Sequence, residues 1–247
     1  MIWLMLYDRQ DFHTTCADKY AVREYFAENF GEEGLIPLLY RTTDWRDIKY
    51  ENIPDCPCVI KSNSGSGWYQ IVRDKNKIDF AQLRNNCKKW MHTNYYYLSN
   101  QWQYKNIKPC IMIEKLLLTR DGKLPNDYKL NFFNGKLEFV YCSIDREGEN
   151  TRNIYDATWN PLHFSWVNAA KKNADVRGED IPPPPTFQRM VEVGSEIARH
   201  FKYVRVDFYD VDGALYYGEI TLHHGGGLDV FVPETYDTLL GNKLNIL

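Results

Sequence analysis

Toward its C-terminal end the chain reads Arg205-Val206-Asp207, then Gly218-Glu219-Ile220-Thr221, then Gly225-Gly226-Gly227. Val204, Val206 and Phe208 alternate with Arg205, Asp207 and Tyr209, the period-two pattern of a strand with one buried face. Asp212-Gly213 supplies a tight turn. The stretch therefore predicts two antiparallel strands, 203–209 and 214–220, joined by Asp210-Val211-Asp212-Gly213. That hairpin sets Asp207 on the face of Arg205, and pairing can bring Glu219 close. Two carboxylates and a guanidinium beside a glycine tract form a place to hold a metal–phosphate group. Mg²⁺ prefers carboxylate and phosphate oxygens, and an Arg complements phosphoryl oxygens bidentately. On these residues alone, a solvated charged face is the alternative. His223 and His224 do not read as a zinc pair, because adjacent residues of a strand point to opposite faces.

At 247 residues the chain can bury a substantial core and suits one large domain or two small lobes. A formal net charge of −3 gives no basic field that argues for nucleic acid. The aromatic share, 15%, can stack on sugars, but core is the commoner use. No apolar run reaches the length of a membrane span. The opening Met1-Ile2-Trp3-Leu4-Met5-Leu6 lacks a basic flank and meets Asp8 and Arg9 at once. It reads as a buried strand or helix start, not a signal peptide. The six cysteines are scattered; Cys56-Pro57-Cys58 lacks two further zinc ligands, and reduced thiols of a cytoplasmic protein are expected.

Along the chain, 18–30 predicts a helix capped by Asp18 and ended by Gly31. A strand is expected at 35–40, and a hairpin from Cys58-Val59-Ile60-Lys61 through the loop Ser62-Asn63-Ser64-Gly65-Ser66-Gly67 into 69–73. Asp79 starts a helix with Phe80, Leu83, Cys87, Trp90, Met91 and Leu98 at helical spacing. An apolar strand at 110–118 carries Glu114 and Lys115, either toward a polar cleft or, more simply, as solvated charges of an edge strand. Asn134-Gly135 predicts a hairpin of 127–133 with 137–143. Pro182 to Pro185 form a stiff connector before a helix with Phe187, Met190, Val191, Gly194, Ile197, Ala198 and Phe201 on one side. The order is α+β with mostly antiparallel pieces. In the loop after Lys61, glycines permit the turns that aim backbone N–H groups at phosphate, and Lys61 adds a point charge. No Gly-Lys-Ser/Thr closes a Walker pattern, and a plain Ser/Gly surface loop is the alternative.

Taken together, a lysine early in the chain, a lysine before a Gly/Ser hairpin loop, a strand ending in Glu114-Lys115, Arg205-Val206-Asp207 and Glu219-Ile220-Thr221 resemble the ATP-grasp superfamily. The closing motif is similar to that of D-alanine–D-alanine ligases. The stretches Asp18-Lys19-Tyr20-Ala21-Val22-Arg23-Glu24-Tyr25, Asn94-Tyr95-Tyr96-Tyr97 and Trp102-Gln103-Tyr104-Lys105 resemble more narrowly the TupA-like ATP-grasp family, found with bacterial capsule, teichuronopeptide and surface-polysaccharide genes. The resemblance runs from about Trp3 onward.

That resemblance implies a single ATP-grasp domain over 1–247, with an N-terminal lobe of about 18–110 and a C-terminal lobe of 111–247, two α+β lobes gripping ATP between them. Lys19 and Lys61 would contact the phosphates, with Ser64, Gly65, Ser66 and Gly67 folding over them. Glu114, Lys115 and Leu117 would belong to the segment that reads adenine. Asp207 and Glu219 would hold Mg²⁺, and Thr221 stands where the family has a metal-binding Asn. Arg205 would stabilise the transferred phosphate, and Lys129 would be a further cleft residue. The implied reaction joins a small-molecule or glycan carboxylate to an amine through an acyl phosphate. The acceptor site lies within these residues or is completed by a homodimer or a partner protein. A glycosyltransferase, as the family is often labelled, and a silent nucleotide- or glycan-binding module are the rival readings.

Overall fold

The computed structural model describes residues 1–168 and 176–246. The chain divides into two compact units, Asp8–Leu117, and Met1–Tyr7 together with Leu118–Leu247. Helix α1 (Ile2–Tyr7) opens the chain in the latter unit and buries Leu4 and Met5, so the opening apolar run is a helix start. The divide falls after Leu117, where the sequence places it at 110/111, because the strand at 111–115 pairs inside the sheet of the Asp8–Leu117 unit.

In that unit α2 (Asp11–Ala17) and α3 (Ala21–Phe30) precede β1 (Leu38–Thr42). Asp18 does start α3: its Oδ1 accepts from the backbone N–H of Tyr20 at 2.9 Å and of Ala21 at 3.3 Å, satisfying donors that a first turn leaves without partners. β2 (Cys58–Ser62) and β3 (Tyr69–Val72) form the expected hairpin. α4 (Phe80–His92) begins at Asp79, whose carboxylate accepts from the Gln82 N–H at 2.9 Å. Thr93 takes an extended conformation and ends α4, so Leu98 falls on a separate short helix, α5 (Tyr96–Ser99), and is exposed. β4 (Ile111–Lys115) enters between β1 and β2, giving the antiparallel order β1-β4-β2-β3. Ile60, Ile111 and Ile113 pack with Leu83, Cys87 and Trp90 of α4, the burial of apolar surface that holds helix to sheet.

In the other unit β5 (Asp127–Phe133) and β6 (Lys136–Ile144) turn at Asn134 and Gly135, with φ of 50° and 80°, as a type I′ turn requires. β7 (Thr151–Asp156) and β8 (Pro161–Leu162) extend one side of the sheet. β9 (Ser165–Asn168) leaves it, and α6 (Phe187–Ala198) follows the proline connector. β10 (Tyr203–Val211) and β11 (Ala214–Thr221) complete a six-stranded antiparallel sheet, β11-β10-β5-β6-β7-β8. β12 (Asp229–Val232) pairs with β9, and α7 (Thr235–Gly241) follows it. α6 buries Met190, Val193, Gly194, Ile197 and Ala198; Val193, not Val191, completes its apolar side. Gly194 is where Phe132 approaches, since a Cβ there would stand 2.5 Å from its ring. An aromatic cluster of Phe133, Phe139, Tyr141, Phe164, Trp166 and Tyr203 forms a second core. No helix among the described residues is long and apolar enough to cross a membrane.

Candidate active site

The pairing of β10 with β5 sets Asp207 opposite Lys129, Arg205 opposite Asn131 and Tyr209 opposite Asp127. Opposed residues share a face, so one side of the sheet carries all of these side chains. Arg205 grips Asp207 in a fork, Nε to Oδ1 at 2.6 Å and Nη2 to Oδ2 at 2.7 Å. The same Nη2 donates to Glu219 Oε1 at 3.1 Å and to Thr221 Oγ1 at 3.0 Å, and the Thr221 hydroxyl donates to Glu219 Oε1 at 2.9 Å. Lys129 Nζ donates to Asp207 Oδ2 at 3.0 Å and to Asp127 Oδ2. The structure thus brings together Arg205, Asp207, Glu219, Thr221 and Lys129. It adds Asp127, which the motif reading passed over. The signal was present: Asp127 stands two residues before Lys129, hence on its face of the strand.

Glu219 reaches this cluster through an irregularity. The β10–β11 register shifts between Val206 and Phe208, and the buried residues of β11, Tyr217 and Ile220, are three apart, where regular pleating spaces them by two. The extra residue is a β-bulge at Gly218-Glu219, which re-aims the side chains that follow. A Cβ at Gly218 would lie 2.7 Å from the backbone oxygen of Asp207, so only glycine allows the strands to approach there.

Burial disfavours the charge on Arg205, but Asp207 more than offsets it and holds the guanidinium above its ordinary value. Burial raises the Asp207 carboxyl, with Arg205 and Lys129 opposing the rise and Asp127 and Glu219 adding to it. Asp207 and Glu219 turn oxygens toward one nitrogen, and Asp127 Oδ1 is buried with no hydrogen-bond partner among the described residues. These oxygen donors suit Mg²⁺, which takes one or two carboxylates and completes its shell with water and phosphate oxygens. Among the described residues no group of three or more His, Cys, Asp or Glu could itself enclose a metal; the fit is to a cation arriving with phosphate. His223 and His224 do not belong to a strand, since β11 ends at Thr221 and His224 opens a short 3₁₀ turn.

The Asp8–Leu117 unit holds the other group of expected residues. Glu114 is buried in β4, an inner strand, and not on an edge. Its carboxylate meets Lys61 Nζ at 2.5 Å through Oε2 and Arg23 Nη1 at 3.0 Å through Oε1. The edge reading fails because β1 and β2 both pair with β4, which buries the carboxylate and leaves Lys115 exposed at the strand end. The Lys115 N–H already bonds the Pro37 carbonyl, and Leu117 lies past the strand. Lys19 Nζ donates to the Gly65 carbonyl at 2.7 Å, and Ser64 Oγ lies 3.3 Å from Ser62 Oγ. Asn63 fixes the base of this loop: its amide donates to Asp18 Oδ1 at 2.9 Å and to the Lys108 carbonyl at 3.0 Å, and its Oδ1 accepts from the Cys110 N–H at 2.8 Å. Ser64 and Gly65 are buried, whereas Ser66 and Gly67 are exposed at the tip. The structure therefore joins Lys19 to the loop and Lys61 to Glu114.

A family model described as TupA-like ATPgrasp matches residues 1–245. Among solved structures, the chain is similar to a D-alanine–D-alanine ligase from Bacillus anthracis at 17% identity and a TM-score of 0.48, covering 91% of this chain and 62% of that one. It is similar to the ATP-grasp ligase PsnB, complexed with a phosphomimetic variant of its minimal precursor, Mg and ADP, at 9% identity and a TM-score of 0.49, covering 95% and 60%. For the D-cycloserine synthetase DcsG the values are 14%, 0.44, 93% and 71%. The chain thus spans about three-fifths of the length of the first two, 62% and 60%. Curated proteins give no match. The match of a family model across nearly the whole sequence shows that the chain belongs to the TupA-like ATP-grasp family.

Proposed function

We propose that the protein is an ATP-dependent carboxylate–amine ligase. The observation that carries this reading is Arg205, whose one Nη2 holds Asp207, Glu219 and Thr221 together on a sheet face that also presents Lys129 and Asp127. In the proposed reaction an oxygen of the carboxylate substrate attacks the γ-phosphorus of ATP, and the bond to ADP breaks with its electron pair on ADP. The amine nitrogen then attacks the acyl carbon, the C–O bond to phosphate breaks, and amide and phosphate leave. A Mg²⁺ held by Asp207 and Glu219 would supply positive charge to phosphate oxygens. Arg205 meets the transferring phosphoryl group with a planar fork, and Lys129 balances the carboxylates between turnovers. Lys61 and Lys19, with the N–H groups of the Ser64–Gly67 loop, take the nucleotide phosphates.

At the finer level, we assign the carboxylate to a uronic acid of a bacterial capsule or surface glycan and the amine to an amino acid or amino alcohol, in the cytoplasm, where ATP is available. Family context supports that assignment.

Mg–ATP should raise the Tm of the protein, since a ligand selective for the native state stabilises it by mass action. Lys61→Ala should remove most of the rise and stay folded, because Glu114 retains Arg23. An unchanged ATP shift in the variant takes Lys61 out of the site. The ligase reading itself is tested with ¹⁸O in the carboxylate substrate: one label should pass to released phosphate in step with amide and ADP. Arg205→Lys keeps charge but loses the fork, and should slow that transfer at least about tenfold. Product formed from a nucleotide-sugar without ATP cleavage would replace the ligase with a glycosyltransferase.

A further inference from the structure

On the face of the six-stranded sheet that carries Arg205, a cavity of about 180 Å³ lies against Phe133, Tyr203 and Phe231 and is reached by His224, Asp229 and Asp237. One water centre needs only about 10–15 Å³, so a small organic group fits.

The polar groups in it are built, not incidental. His224 Nδ1 stands 3.3 Å from Asp229 Oδ2. The imidazole stacks on Trp166 at 4.7 Å and 7° between planes, and Trp166 stacks in turn on Tyr141 at 4.8 Å and 9°. Tyr141 pairs with Lys129 across β5 and β6, so the stack rests on the sheet that positions Arg205. The glycine tract makes the dyad possible. Gly225 has φ of 55°, and a Cβ there would fall 2.1 Å from the Asp229 carboxyl carbon; a side chain at 225 would drive Asp229 off the ring. An ionised carboxylate can only accept, so it holds the hydrogen on Nδ1 and leaves Nε2 with its lone pair.

We propose that this cavity seats the amine co-substrate, and that His224, oriented by Asp229, is the base that takes a proton from its ammonium group. The proposal rests on the ligase reading above. Asp237, on the cavity wall, attracts the ammonium. One N–H proton passes to His224 Nε2, and the freed nitrogen lone pair forms the C–N bond to the acyl phosphate. The C–O bond breaks with its electrons on the phosphate oxygen, and the departing phosphate takes the second proton of nitrogen. The groups facing the imidazole are Asp229 at the start of β12 and Tyr203 and Arg205 of β10. Burial, with Arg205, holds the ring below its ordinary value against the pull of Asp229. It therefore meets an ammonium as a neutral acceptor.

The test follows the His224 ring nitrogens by NMR in the full chain labelled with ¹⁵N-histidine, the signals being assigned by their loss in His224→Gln. Ethanolamine, titrated near neutral pH, should shift Nε2 saturably, while ethylene glycol should leave it in place. Asp237→Asn should weaken the ethanolamine response about tenfold, and Asp229→Asn should redistribute the proton between the two nitrogens before any amine is added. An Nε2 signal unmoved by ethanolamine, or moved equally by the glycol, overturns the proposal. If His224→Gln fails to fold, the change in Asp229→Asn assigns the signal instead. The Mg–ATP shift in Tm, measured on the same samples, separates the two readings. A silent His224 with an intact ATP response removes the amine pocket alone. An amine response with no ATP response removes the ligase reading and leaves an amine-binding pocket.

Discussion

In Asp207→Asn, ATP-dependent turnover is expected to fall by about 10³-fold or more, roughly 4 kcal/mol of lost transition-state stabilisation. Asp207 is gripped by Arg205 at 2.6 and 2.7 Å and reached by Lys129 at 3.0 Å. Asparagine keeps the shape but can no longer neutralise either cation or offer a charged oxygen to Mg²⁺. Two effects are therefore combined, and they separate experimentally. The loss of metal binding appears in kcat at saturating ATP and shifts with Mg²⁺ concentration, whereas the loss of the buried ion pair appears in the Tm of the ligand-free protein. A variant that keeps turnover within about tenfold while losing Tm would make Asp207 an anchor for Arg205 and nothing more.

Glu114→Gln should lower stability by about 3 kcal/mol, the lower part of the range for removing one partner of a buried ion pair. The lower part is chosen because the side chains of its two partners, Arg23 and Lys61, retain 16% and 19% exposure. For a chain of this size the loss corresponds to roughly 6–12 °C in Tm. The substitution leaves two cations facing one neutral amide in an inner strand. Thermal unfolding measures it, and a drop under about 2 °C would place the triad among ordinary surface pairs. The same variant asks what Glu114 is for. If its role is to hold Lys61, the ATP-induced rise in Tm should change less in Glu114→Gln than in Lys61→Ala.

The parts of the fold that were legible in the sequence are those governed by local chemistry. Asn134-Gly135 and Asp212-Gly213 dictate turns within a few residues, and Asp18 and Asp79 cap helices through bonds two or three residues away. Arg205 and Asp207 could be placed on one face from alternation alone. What escaped depends on partners far along the chain. β4 looks like an edge strand until β1 and β2 are known to flank it. The β9–β12 ribbon joins segments more than sixty positions apart in register, Asp229 with Asn168, and neither alternates strongly enough to announce itself. Asp127 belongs to the cluster only through the pairing of β5 with β10, which sets it opposite Tyr209 and Lys129 opposite Asp207, and those strands lie some seventy-five positions apart.

The bulge in β11 carries one consequence for how such a protein is surveyed. Position 218 has no side chain, offers no group to a substrate, and would be skipped by a mutational scan aimed at functional groups. Yet a methyl group there meets the main chain of Asp207 at 2.7 Å. The acid's placement is thus controlled by a residue with nothing to contribute chemically. A screen that ranks positions by reactivity would score the least reactive amino acid in the hairpin as dispensable, and would misattribute the resulting loss of activity to unfolding.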